Sequence, residues 1–295
     1  MAGHSVGVAA PRSLGALDAL NFFLADVRDG VGPYLAIYLL GSKSWSAGDI
    51  GIAMSAMGIA TLVAQTPAGA LVDSVNARRL LMSLASLAVA AACVMMTWFD
   101  ALLPIVLAQA LIGVAVAVLA PGVSALTLGL VGYKSFSRRT GRNQAFNHAG
   151  NIAAAVCAGL IGHFIAREGI FYLVAVFAVF AIVSIMAVRP GDINPRLARG
   201  DDGEDENGNS RAITGKAPSG LVALLADRRV LMLTASVTLF HFANAAMLPL
   251  VGQYLSVGKS SSASLYMSAC IIVAQIVMIP VALSAGRLAD CGADA

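Results

Sequence analysis

Asn21-Phe-Phe-Leu-Ala-Asp26-Val-Arg28-Asp29-Gly30-Val-Gly32-Pro33-Tyr34 reads as the middle of a hydrophobic helix that nonetheless carries three ionisable side chains. Each costs about 2.5–3.5 kcal/mol at the centre of a membrane helix, whereas a Leu, Ile or Phe returns only about 0.3–0.6 kcal/mol. A lipid-facing helix would not keep them, so they must face other helices or a wet cavity. Asp26 and Asp29 are three residues apart and share a helix face, while Arg28 points elsewhere. A carboxylate in such a place can take up and release a proton near neutral pH, which is what proton coupling requires. Pro33 lacks an N–H, so the carbonyl of Asp29 loses its helical donor. Free backbone groups at mid-membrane are a feature of transporter binding sites. The alternative is structural: Arg28 pairs permanently with an acid on a neighbouring helix and locks the bundle.

The surrounding composition supplies the membrane. Of 295 residues, 58% are hydrophobic and 12% charged, and the mean hydropathy is +0.81. Soluble domains carry about 25% charged residues, so most of this surface does not face water. Uncharged runs over 80–99, 101–133 and 171–188 are each long enough to cross a bilayer. Cys93, Cys157, Cys270 and Cys291 show no paired spacing and predict neither disulfide nor metal site. The N-terminal stretch is too long and too charged for a signal peptide. No His-Glu-x-x-His, Gly-x-Ser-x-Gly or phosphate-binding glycine loop occurs, so an enzyme is not expected, nor is a cofactor. The basic residues are scattered among loops, which gives no nucleic-acid surface.

Eight spans are predicted, at 14–40, 47–73, 78–98, 102–130, 143–166, 169–188, 229–255 and 262–286. Sorting the basic residues by loop gives a strong asymmetry. One side gathers Arg12, Arg78, Arg79, Lys134, Arg138, Arg139, Arg142 and every basic residue from Arg189 to Arg229, with Arg287; the other holds Lys43, Arg167 and Lys259. The positive-inside rule then places both termini in the cytoplasm of a multi-pass inner-membrane protein. Residues 189–228 are rich in Gly and polar residues, with the acidic run Asp201-Asp-Gly-Glu-Asp-Glu206, and predict a disordered cytoplasmic linker. The domain reading is therefore a six-helix half over 1–188, the linker over 189–228, and the start of a second half over 229–295.

An internal repeat supports two halves. Gly69, Leu71 and Asp73 align at a constant offset with Gly286, Leu288 and Asp290, and Pro33 and Tyr38 align similarly with Pro249 and Tyr254. The stretch Gly69-x-Leu71-x-Asp73…Arg78 resembles the signature loop of the major facilitator superfamily. The Asn21–Tyr38 region and Arg142-Asn-Gln-Ala-Phe-Asn-His148-Ala-Gly150-Asn151 resemble its bacterial drug exporters. The resemblance implies an all-α polytopic bundle working by alternating access, with a signature-loop latch formed by Gly69, Asp73 and Arg78 and a weaker copy at Gly286 and Asp290. It also implies a small-molecule substrate and proton-driven efflux, with the lipid bilayer as the protein's surroundings. Three features depart from the pattern: Ser74, Asn76 and Ala77 replace the loop's basic and glycine residues, Gln109 stands where proton-coupled members carry an arginine, and the fifth helix lacks a Gly-Pro pair. Against the family's twelve-helix plan, the sequence reads as a transporter shortened after its eighth helix.

Further candidates follow from position. His241 and Asn244 lie three apart in the seventh span and match Ala25 and Arg28 through the repeat, which predicts the opposite wall of one cavity; an interhelical hydrogen bond would explain them equally well. Gly150, Ala154, Ala158 and Gly162 recur every four residues and predict close helix packing. Asn147, His148 and Asn151 sit near the cytoplasmic end of the fifth span. Gln65, Gln109 and Gln275 are isolated polar residues, read as packing contacts. Two other readings stand beside proton-coupled efflux: an anion or organic-acid transporter with Arg28 as counter-ion, and a remnant that transports nothing.

Overall fold

The computed structural model describes residues 10–199, 228–244, 247–258 and 262–293. Every regular element among them is helical. The bundle comprises α1 (Pro11–Ala25), a π-helical segment (Asp26–Gly30), α2 (Val31–Lys43), α3 (Ala47–Ser74), α4 (Arg78–Trp98), α5 (Leu102–Val131), α6 (Phe136–Phe164), α7 (Gly169–Ala187), α8 (Arg228–Asn244), α9 (Met247–Gly258) and α10 (Ala263–Ala293). Among the described residues α3, α4, α5, α6, α7 and the Ala263–Ala285 part of α10 are long and apolar enough to cross a membrane.

The first predicted span is therefore not one helix. It is divided by five π-helical residues between α1 and α2. The cause is local: Pro33 supplies no N–H, and Gly30 and Gly32 weaken the helix on either side, so the hydrogen-bond ladder widens by one residue. The seventh predicted span corresponds to α8 and α9, whose described residues end at Asn244 and resume at Met247. The fifth starts seven residues earlier than predicted, at Phe136, which moves Arg138, Arg139 and Arg142 from a loop onto a helix.

The core is set by spacing. Ile105, Ile112, Leu119 and Leu126 line one seam of α5, Met82, Val89 and Met96 one of α4, and Phe171, Ala178 and Ile185 one of α7, all buried. Residues at seven-residue intervals return to nearly the same helix face. Leu17, Leu20 and Leu24 of α1 complete this core. Opposite faces carry Leu103, Leu107 and Leu111 on α5, or Val179 and Val183 on α7, exposed as a lipid-facing surface requires.

Close backbone approach fixes the helix pairs. A Cβ on Gly113 of α5 would collide with the carbonyl of Met57 on α3, and Thr61 Oγ1 donates to the Gly113 carbonyl at 3.1 Å. A Cβ on Gly150 would collide with the Phe22 carbonyl of α1. One on Gly162 would lie 2.7 Å from Ser264 Oγ of α10. The four-residue repeat on α6 thus serves two partners. Each four-residue step drifts by about 40° on a 3.6-residue helix, so the row begins against α1 and ends against α10.

The predicted linker begins later than expected. Residues 190–199 form two short 3-10 turns, Pro190–Asp192 and Leu197–Arg199, docked under α5. Leu197 and Ala198 are buried, and Asn194 N–H donates to the Gly129 carbonyl at 2.8 Å. Their few apolar side chains are enough to seat this stretch, because Gly129 leaves room for Ile193 and Ala198. The rest of the predicted linker, including the acidic run, lies outside the described residues.

Candidate functional site

Asp26 opens the π segment and is 3% exposed. Gly150 brings α6 against α1 just before it, with Ala25 and Phe22 as the contact. Below, Phe23 stacks on Phe180 at 5.0 Å between centroids and meets Phe177 edge-on at 5.5 Å. Tyr34 and Cys93 lie close enough to Asp26 to feel its charge. Tyr34 in turn donates its O–H to Ser268 Oγ at 2.8 Å, whose own proton goes to the Ser264 carbonyl at 2.9 Å. Hydrogen bonds therefore tie Tyr34 of α2 to Ser268 and Ser264 of α10.

Arg28 is half-buried, and its buried Nε has no hydrogen-bond partner. A buried guanidinium N–H without a partner is costly, so this group is available to an anion. Asp29 belongs to the π segment by its backbone; its side chain lies outside the described ones. His241 is exposed on α8, with Nδ1 2.9 Å from the Val237 carbonyl of its own helix. The structure does not bring it against Asp26, contrary to the expected cavity wall: α8 presents its described side chains outward. The side chain of Asn244 lies outside the described ones. Gln109 is 2% exposed, and its Oε1 has no hydrogen-bond partner. The sequence marks it as a packing residue, yet packing leaves this acceptor unsatisfied. Gln275 pairs with His148 across α6 and α10 at 2.5 Å.

The signature stretch is arranged as two helix caps. Arg78, 4% exposed, donates Nε to the Val72 carbonyl at 2.9 Å and Nη2 to the Asp73 carbonyl at 3.2 Å. Arg79 donates to the Ile185 and Met186 carbonyls at 3.1 and 2.6 Å. The last carbonyls of a helix have no internal donor and carry its negative dipole end. Adjacent arginines thus close α3 and α7. Asp73 is exposed, and Gly69 has open space where a Cβ would sit. Gly286 and Asp290 lie on α10, which runs on to Ala293; their side chains lie outside the described ones.

One cluster escaped the sequence reading. Asp18 of α1 accepts from Arg139 at 2.7 Å and Arg142 at 2.9 Å, and Arg139 also donates to the Leu14 carbonyl and to Asn143 Oδ1. Asn143 passes the network to Thr127 of α5 at 2.8 Å. The available signal was Asp18 itself, a carboxylate inside a predicted span. It was masked because its partners read as loop arginines.

Comparison with known proteins agrees with this architecture. The family model of the Major Facilitator Superfamily matches residues 17–291. The chain is 44% identical over 290 residues to two proteins of Mycobacterium tuberculosis, the uncharacterized MFS-type transporters MT2531 (strain CDC 1551 / Oshkosh) and Rv2456c (strain ATCC 25618 / H37Rv). The match covers 98% of this chain and 68% of each relative. The family model and these relatives, together with the membrane-length helices, make this chain a membrane transporter. The chain belongs to the Major Facilitator Superfamily.

Proposed function

We propose that this protein moves a small amphipathic molecule across the inner membrane by alternating access, in the direction of efflux and coupled to protons. Asp26 and Asp29 carry the proton, between a six-helix half over 1–188 and a second half beginning at 229. Gly69, Asp73 and Arg78 gate the cytoplasmic side, with Gly286 and Asp290 as the second-half counterpart, and both termini are cytoplasmic. The observation that carries this reading is Asp26, a carboxylate 3% exposed at a π-helical break in a membrane span. π segments recur at functional sites, and buried ionisable groups in membranes are kept for function.

The test is efflux of ethidium from proteoliposomes holding the full chain under an imposed pH gradient. Wild type should move the dye with the gradient, and the Asp26→Asn, Asp29→Asn double variant should lose gradient dependence. Unchanged coupling in the double variant would remove these residues from the mechanism.

The partnerless Nε of Arg28 favours a second reading, in which Arg28 is the counter-ion for an anionic substrate such as an organic acid. Inhibition of transport by benzoate that disappears in Arg28→Gln would support it; inhibition that persists in the variant would exclude it.

A further inference from the structure

α6 and α10 form a long helix pair that is tight at one end and open at the other. Towards the end carrying Phe164, glycines let the backbones close: a Cβ on Gly159 or Gly162 would run into Ser268 or Ser264. Towards the basic end the helices part around a cavity of about 450 Å³. Ser137, Thr140 and Gln144 line it from α6, and Met278, Val281 and Ala282 from α10. Between the two regimes stands the hydrogen bond of His148 Nδ1 to Gln275 Oε1, 2.5 Å long. It lies about 16 Å along α6 from Gly159, taking 1.5 Å per residue.

The chemistry of that bond is directional. Gln275 Oε1 can only accept, so with this amide orientation Nδ1 is the donor, and in the neutral ring Nε2 carries no proton. His148 also lines the cavity, which gives the ring access to water. A proton on Nε2 makes the ring cationic, and a hydrogen bond from an ionised donor is about twice as strong as a neutral one.

The surroundings leave this bond little competition. Between Ala263 and Ala285 α10 carries no Asp, Glu, Lys or Arg and offers only Tyr266 and Cys270 as titratable groups; Arg287, Asp290 and Cys291 follow further along it. α5 has no titratable residue, and α7 has Tyr172 alone. On α1, Asp18 is engaged by Arg139 and Arg142 of α6. Asp26 and Arg28 come from the π segment, and Arg138 and His163 stand at the two ends of α6 itself.

We propose that His148 and Gln275 form a proton-operated tie between the first six spans and α10: protonation tightens it and holds the pair as seen here, and deprotonation frees the basic ends to move. The tie rests on the alternating-access reading for its purpose but not for its detection, because the motion can be measured without a substrate.

Spin labels on Arg138→Cys and Ser284→Cys, in a background with the four native cysteines replaced by serine, report the separation of the basic ends in lipid vesicles. An imidazole changes charge between about pH 5 and 8. The population with the present separation should be about five-fold more abundant, relative to any other, at pH 5.5 than at pH 8. His148→Gln, which keeps an amide donor without titration, should abolish the pH response while leaving the separation single-valued. Gln275→Leu, which keeps the imidazole but removes its acceptor, should abolish it too. A distance distribution in wild type that ignores pH, or one that still responds in either variant, would overturn the proposal. Neither result would touch the transport assay, so failure of the tie and failure of the transport reading remain separate outcomes.

Discussion

At the scale of single residues, the strongest polar commitment is Asp18. Its carboxylate is 11% exposed and bridges Arg139, 8% exposed, and Arg142, 56% exposed. Removing one member of a buried pair strands the other charge and costs about 3–5 kcal/mol, whereas an exposed pair contributes about 0–1 kcal/mol. Asp18→Ala should therefore destabilise the protein by about 3 kcal/mol in a denaturant titration in mild detergent, and Arg142→Ala by less than about 1 kcal/mol. A loss in Asp18→Ala no larger than that in Arg142→Ala would mean that the bonds of Arg139 to the Leu14 carbonyl and Asn143 are enough to hold it. How legible such residues were depended on isolation. Asp26 stood out because it interrupts an apolar run. Asp18 did not, because its partners were more than a hundred residues away and looked like topogenic loop charges. His241 was placed by repeat register alone, and register says nothing about which way an unpacked helix turns.

At the scale of elements, helix spans were readable where hydropathy runs without a break. The predicted 78–98 and observed Arg78–Trp98 coincide, and α3, α5 and α7 differ by one residue at one end. Length and hydropathy cannot report a change in hydrogen-bond register, so the π segment was invisible. The early start of α6 was hidden by its arginines, which read as a loop. Glycines separate the two roles that sequence alone merges. Gly150→Ala forces a methyl group into the Phe22 carbonyl and should cost about 1–3 kcal/mol in thermal unfolding. Gly69→Ala meets open space within a helix and should be neutral or stabilising by up to about 1 kcal/mol. A transport defect in Gly69→Ala without loss of stability would then assign that position to gating; a stability loss would show a packing role.

At the scale of the molecule, arginine is concentrated at one end. Arg78, Arg79, Arg138 and Arg139 share it, while Lys43 pairs with Asp100 and donates to the Phe99 carbonyl at the other. The positive-inside reading makes the arginine end cytoplasmic. A membrane-impermeant maleimide applied to intact cells, in the same cysteine-free background, should label Ala101→Cys and spare Ser135→Cys until the cells are opened. The reverse pattern would invert the topology.

The break in the first span also makes a statement about insertions and deletions. Five residues in the wider π spacing leave α1 and α2 out of phase with a continuous α-helix. The phase matters because α1 seats Leu17, Leu20 and Leu24 in the main core, while α2 must aim Tyr34 at Ser268. Because the segment holds one residue more than an α-helical turn, excising Val27 lets the ladder close as a regular helix while the residues beyond keep nearly the same facing, so Tyr34 should still meet Ser268. The same loss inside α1, where no extra residue is held, would turn everything beyond it by about 100°. A single-codon loss should thus be far better tolerated within 26–30 than a few residues earlier.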